Sequence, residues 1–167
     1  MKQHTISVLV QNQFGVLARV AGLFSMRGYN IESLCVGETE DATVSRMTVV
    51  VSGDDRVLEQ IVKQLNKLVE VIEVLDLTQV DFVERELVMI KIAAGPERRS
   101  EVVEMANIFR ARSVDIGSDA MITEVTGTQA KVRAFIDMMR PFSIQELVRT
   151  GRVAISRSVK NNTQNAK

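Results

Sequence analysis

Apolar and polar side chains alternate at the start of the chain. Ile6, Val8 and Val10 stand against Thr5 and Ser7, and a period of two predicts a strand over 5–10. The period then lengthens. Val16, Leu17, Val20, Ala21, Leu23 and Phe24 share one broad face at helical spacing, which predicts a helix over 16–26 that Gly28 stops. A strand is expected over 30–37. The polar, acidic run ETEDAT (38–43) reads as a hairpin loop, and Met47, Val49 and Val51 mark a strand over 45–52. Gly53 and Asp54 then open a helix that carries Leu58, Ile61, Val62 and Leu65 on one side. A fourth strand is expected over 68–77.

The same order then recurs. The unbroken LVMI opens a buried strand over 87–93. Pro96 suits the first turn of a helix bearing Val102, Met105, Ala106 and Phe109. Strands are expected near 114–117 and 121–126, and Thr128 is placed to cap a helix with Val132, Phe135, Ile136 and Met139. Pro141 ends that helix before a strand over 143–149, a turn at Gly151 and a short apolar segment over 153–155. Each half reads βαββαβ, the ferredoxin-like unit. The fold class predicted is α+β, two consecutive ferredoxin-like domains over 1–78 and 85–159, with a linker over 79–84. The polar tail KNNTQNAK (160–167) is expected to be disordered.

Residue matches support a repeat. GLFSMRGYNI (22–31) lies over NIFRARSVDI (107–116) without a gap, and VSGDDRVLEQIV (51–62) over VTGTQAKVRAFI (125–136). The smaller offset of the second match implies a shorter central hairpin in the second copy. In this register Ser100 replaces Gly15, Glu97 replaces Asn12, and Ser113 and Asp115 replace Gly28 and Asn30. The first copy thus carries an Asn-x-x-Gly turn before its first helix that the second lacks. One reading is local: Asn12 holds a turn, Gly15 relieves a clash and Asn30 starts a strand. The other is chemical. Backbone N–H groups of Gly15, Val16 and Leu17 at a helix start favour a carboxylate. Asn12 and Asn30 offer both donors and acceptors, and Val16, Leu17 and Ile31 could wall in an apolar side chain.

Composition narrows the classes. The 167 residues include 21 Lys+Arg and 21 Asp+Glu, a net charge of zero that supplies no field to gather nucleic acid or anionic lipid. The single cysteine, Cys35, excludes an intrachain disulfide and a cysteine-built zinc site. The single histidine, His4, leaves no multi-histidine metal site and no Ser–His–Asp arrangement. No apolar run approaches the roughly 20 residues that a membrane helix needs. A soluble, cytoplasmic protein is expected.

The first half is identified as resembling an ACT domain, a small-molecule sensing module. NQFGVLARVAGLFSMRGYNIESLCVG, SRMTVVVSGDD and LEQIVKQLNKLVEVIEV resemble the small regulatory subunit of acetohydroxyacid synthase (acetolactate synthase), and the likeness continues through VERELVMIKI, NIFRARSVDI, TEVTGT and VRTGRVAISR. The resemblance implies a non-catalytic chain that activates a catalytic subunit carrying thiamine diphosphate, magnesium and FAD, and makes it sensitive to feedback by a branched-chain amino acid, typically L-valine. It implies a homodimer paired through the ACT domains, with the effector between Asn12, Gly15, Val16 and Leu17 of one chain and Asn30 and Ile31 of the other. No catalytic residue, metal ligand or cofactor is expected in this chain. An ACT-type amino-acid sensor acting on a different enzyme or on transcription is the alternative.

Two other classes share the element order. An RNA-recognition module stacks bases on sheet aromatics, but aromatics are only 4% here and the strands lack the pattern. A small phosphatase would need Arg27, Arg46, Arg98 or Arg99 to hold phosphate, and no nucleophile–base pair accompanies them. Glu38, Glu40 and Asp41 read as a soluble turn rather than a metal site.

Overall fold

A computed structural model of the chain describes residues 2–158, so the expected disorder of 160–167 lies outside the described residues. The architecture is α+β. Its elements run β1 (Lys2–Gln11), α1 (Val16–Met26), β2 (Ile31–Glu38), β3 (Val44–Gly53), α2 (Asp55–Leu65), β4 (Val71–Asp76), β5 (Phe82–Ala93), α3 (Arg99–Ile108), β6 (Arg112–Ile116), β7 (Ala120–Gly127), α4 (Gln129–Met139), β8 (Ile144–Arg149) and β9 (Val153–Ser156). The described residues divide into two compact units, one of 2–32, 36–83 and 154–158, the other of 33–35 and 84–153.

The first sheet has the order β2-β3-β1-β4, and the second β6-β7-β5-β8 with β9 paired to β5. β1 runs antiparallel to β3 with Lys2 opposite Gly53 and Val8 opposite Met47. In the first unit Ile6, Val8, Val10, Met47, Val49 and Val51 are buried, as are Val20, Leu23 and Phe24 of α1 and Leu58, Ile61 and Leu65 of α2. In the second, Val88, Ile90 and Ile92 form a core with Val102, Ala106, Met121, Val125, Val132, Phe135 and Met139. At the end of that core Arg149 holds the buried Glu86 through two bonds, Nε–Oε1 at 2.7 Å and NH2–Oε2 at 2.8 Å. The hydrogen bond to Glu86 raises the Arg149 pKa further, so the guanidinium stays charged.

Caps mark the starts of α2 and α4 and the end of α1. The Asp54 carboxylate accepts from Val57 N at 2.8 Å, and Thr128 Oγ1 accepts from Lys131 N at 3.4 Å. Each satisfies a donor of the first turn that has no intrahelical acceptor. The C-terminus of α1 closes as the sequence predicts. Gly28 is left-handed (φ 70), its N–H donates to Ser25 O at 3.1 Å, and Tyr29 N–H donates to Phe24 O at 3.0 Å.

Several expectations shift. β5 begins at Phe82 rather than at 87. β4 is shorter than 68–77, because Leu77 opens a 3-10 turn whose Thr78 N–H is held by Asp76. Pro96 lies ahead of its helix: Arg98 N–H donates to Gly95 O, which closes a turn, and α3 starts only at Arg99.

The register of the repeat also needs correction. β5 pairs with β7 with Glu86 opposite Gly127, so Glu86 is the counterpart of Lys2. The residue capping α3 is Arg98, not Ser100, and it is not left-handed (φ −106). The C-terminus of α3 repeats the bonds of α1, with Arg110 N–H to Asn107 O and Ala111 N–H to Ala106 O, both at 2.9 Å. Arg110, at φ 53, therefore stands where Gly28 does, and Ser113 does not. The gapless match slid two to three residues because α3 is one residue shorter than α1 and its apolar residues recur at similar spacing. The match of 51–62 to 125–136 is in register, since both caps and both helices coincide.

Candidate functional site

The turn before α1 is clamped to the β2–β3 hairpin. Asn12 N–H donates to Thr43 O at 2.7 Å, and the Asn12 side-chain amide donates to Ala42 O at 2.9 Å and to Glu38 Oε1 at 3.1 Å. Both amide hydrogens are thereby directed into the hairpin, so the side chain keeps an oxygen acceptor for anything outside. The hairpin itself is braced by Asp41, whose carboxylate accepts from Thr43 Oγ1 at 2.7 Å and Thr43 N at 2.9 Å. Those two bonds favour the anion and hold the Asp41 pKa below the usual aspartate range.

The chain then reverses through Gly15, left-handed at φ 84 and ψ −10, and enters α1. Gln13 O accepts from Val16 N at 3.3 Å, and the first intrahelical bond is Arg19 N to Gly15 O at 3.0 Å. The N–H groups of Leu17 and Ala18 precede that bond and have no intrahelical acceptor. No side chain caps them, and the first turn holds no acid. α2 and α4 are capped by Asp54 and Thr128, and α3, which like α1 has no side-chain cap, carries Glu101 in its first turn. Among the described helices α1 alone therefore starts with neither a side-chain cap nor an acid at its positive end.

The six expected site residues separate into two groups. Asn12 and Leu17 are exposed, Gly15 is half-buried, and Val16 is 4% exposed, so Val16 packs into the core and can present only backbone. Asn30 is exposed and Ile31 half-buried. They lie beyond the other end of α1, whose 11 residues span about 16 Å. Within one chain the structure does not bring the two groups together. β2, which begins at Ile31, is the edge strand of its sheet on that side.

The hairpin partners Glu38, Ala42 and Thr43 were not legible as part of this turn. They lie about thirty positions from Asn12, and only the β2–β3 ladder carries them back. Of the four arginines that could hold phosphate, three are engaged. Arg46 donates to Ser7 Oγ, Arg98 lies 4.7 Å above the Phe142 ring, and Arg99 donates to Gly117 O and Ser118 O. His4 is buried with Nε2 3.2 Å from Gly53 O, and Cys35 is half-buried on β2. Among the described residues no group of three His, Cys, Asp or Glu could hold a metal ion, and no helix is long and apolar enough to cross a membrane.

Comparison with known proteins covers both units. The family model described as an AHAS small subunit-like ACT domain matches residues 6–73, and that described as the small subunit of acetolactate synthase matches 85–158. A probable acetolactate synthase small subunit of Archaeoglobus fulgidus is 60% identical, over 95% of this chain and 99% of that protein. The acetolactate synthase small subunit of Aquifex aeolicus is 48% identical, over 95% of this chain and 83% of that protein. The crystal structure of the acetolactate synthase small subunit from Thermotoga maritima superposes with a TM-score of 0.87 at 41% identity, covering 95% of this chain and 99% of that one.

Proposed function

The chain belongs to the acetolactate synthase small-subunit family, and from that membership we propose that it binds and activates the catalytic subunit of acetohydroxyacid synthase and confers feedback inhibition by L-valine. It carries no catalytic group of its own. Thiamine diphosphate, magnesium and FAD belong to the partner chain. Two copies pair side by side along the β2 edges of their ACT domains, in the cytoplasm, and the effector lies between them.

The observation that carries this reading is the open start of α1. A zwitterion needs donors for its carboxylate and acceptors for its ammonium. Leu17 and Ala18 offer backbone donors at the positive end of a helix, and the Asn12 oxygen is left as an acceptor. Leu17, 44% exposed, supplies apolar contact for a branched side chain. Asn30 and Ile31 are a helix length away in the same chain, so a ligand that touches both groups bridges two chains. Such a ligand stabilises the dimer arrangement that it binds best and shifts the population between activating and inhibited complexes. Couplings of this kind are about 1–3 kcal/mol.

The test is a calorimetric titration of the purified chain with L-valine, L-leucine and L-isoleucine, followed by reconstitution with the catalytic subunit. Saturation at one ligand per chain or two per dimer is expected, with Asn30→Ala losing inhibition and keeping activation. A folded dimer that takes up none of the three amino acids, or an Asn30→Ala chain that no longer activates, overturns the assignment.

A further inference from the structure

An open groove of about 500 Å³ in the first unit is lined by α1 on one side and by Gln64 of α2 with Lys67 and Leu68 just beyond it on the other. Its apolar lining is Ala18, Gly22, Leu23, Met26 and Leu68. Met26 is 83% exposed, an apolar side chain with little cover. A Cβ built on Gly22 meets no heavy atom within 4 Å, so open space stands over the middle of the helix. The rim is cationic. Arg19 leans on Glu70, but its side chain remains 65% exposed. Arg27 and Lys67 are exposed and form no ion pair among the described residues.

We propose that this groove receives an amphipathic helix of the catalytic partner whose polar edge is acidic. The proposal rests on the reading of the chain as a regulatory subunit and names the surface that reading leaves open. Three observations select this occupant. The apolar lining from Ala18 to Met26 spans nine residues of α1, about 12 Å end to end, which accommodates the i, i+3/i+4, i+7 anchors of a docked helix. The small side chains at 18 and 22 let a second helix axis approach closely. The surplus of Arg27 and Lys67 complements carboxylates, whereas a two-fold contact with a second copy would set the same cations against one another. The polar side chains of the lining are exposed or half-buried, an arrangement that fits a rim rather than the enclosed polar contacts of a small-ligand site.

The experiment measures the dissociation constant between full-length chain and catalytic subunit at low and moderate salt, for wild type, Gly22→Leu and Arg27→Glu/Lys67→Glu. Gly22→Leu fills the groove on a helix position with open space. The double reversal alters only exposed side chains, so one variant at least retains the fold, checked by circular dichroism and by an unchanged valine isotherm. Both variants are expected to weaken the complex at least tenfold, and the wild-type affinity to fall with salt. Folded variants with the wild-type dissociation constant overturn the groove assignment while leaving the regulatory reading intact. A wild-type chain that fails to bind the catalytic subunit overturns that reading itself. A change in the oligomeric state of Gly22→Leu alone, by sedimentation, overturns the proposal in favour of a second copy.

Discussion

Replacing Gly15 by alanine changes one backbone preference and adds one methyl group. Gly15 sits at φ 84, and a Cβ there meets no heavy atom within 4 Å, so there is no clash to relieve. The cost is conformational. An L-residue in the left-handed region loses about 1–2 kcal/mol, and alanine recovers about 0.4–1 kcal/mol by restricting the unfolded chain. The net loss is about 1 kcal/mol, or about 2–4 °C of melting temperature for a chain of this length. The effect on the ligand is expected to be larger. The methyl enters the open space before α1, where the proposed ligand's carboxylate would lie, and L-valine affinity should drop at least tenfold, or at least about 1.4 kcal/mol. Urea unfolding and a valine titration on the same samples separate the two effects. Ile61→Val is the matched control: Ile61 is fully buried in α2, its loss costs about 0.5–1.5 kcal/mol, and its valine isotherm should be unchanged. Wild-type affinity in Gly15→Ala would reduce Gly15 to a turn former. An equal loss of affinity in Ile61→Val would show that binding follows stability and not the geometry of the turn.

Three further outcomes follow from the second unit and the hairpin. Arg110→Gly removes an L-residue from φ 53 and should stabilise the second unit by several tenths to about 1 kcal/mol in urea unfolding; a neutral or destabilising result contradicts the strain argument. Arg149→Met strands the Glu86 carboxylate, 5% exposed. Because the arginine side is 42% exposed and solvent can reach it, the loss should be about 2–3 kcal/mol, below the usual cost of breaking a fully buried pair. Adding Glu86→Gln should recover part of it, and no recovery would place the loss in packing. Asp41 titrates below its ordinary value, so its contribution to stability is present above that value and fades as pH falls through the lowered pKa. Thr43→Val should move the Asp41 carboxyl resonance titration upward, and an unmoved titration rules out the Thr43 hydroxyl as its cause.

Elements with a local cause were legible. Asp54 and Thr128 announce the starts of α2 and α4 by capping chemistry, and Gly28 announces the end of α1 by its left-handed turn. The second copy hid the same turn, because Arg110 occupies it without glycine's signature, and the gapless match drifted past. What non-local pairing decides was not legible. The Asn12 amide could have faced outward on sequence grounds alone. It faces Glu38 and Ala42 because the β2–β3 hairpin returns beside it. Val16 had two possible roles at helical spacing, wall or core, and burial decides for core.

The turn that closes α1 also makes the chain its own spectroscopic reporter. Tyr29, whose N–H caps Phe24 O, is the only tyrosine, and there is no tryptophan. All intrinsic emission beyond the weak phenylalanine signal therefore arises from one half-buried ring, one residue before Asn30. Pairing of chains or arrival of a ligand at that end of α1 can be followed by unlabelled fluorescence and near-ultraviolet dichroism. In a mixture with a tryptophan-containing partner, excitation at long wavelength leaves this chain dark, so the partner's own response can be read through it.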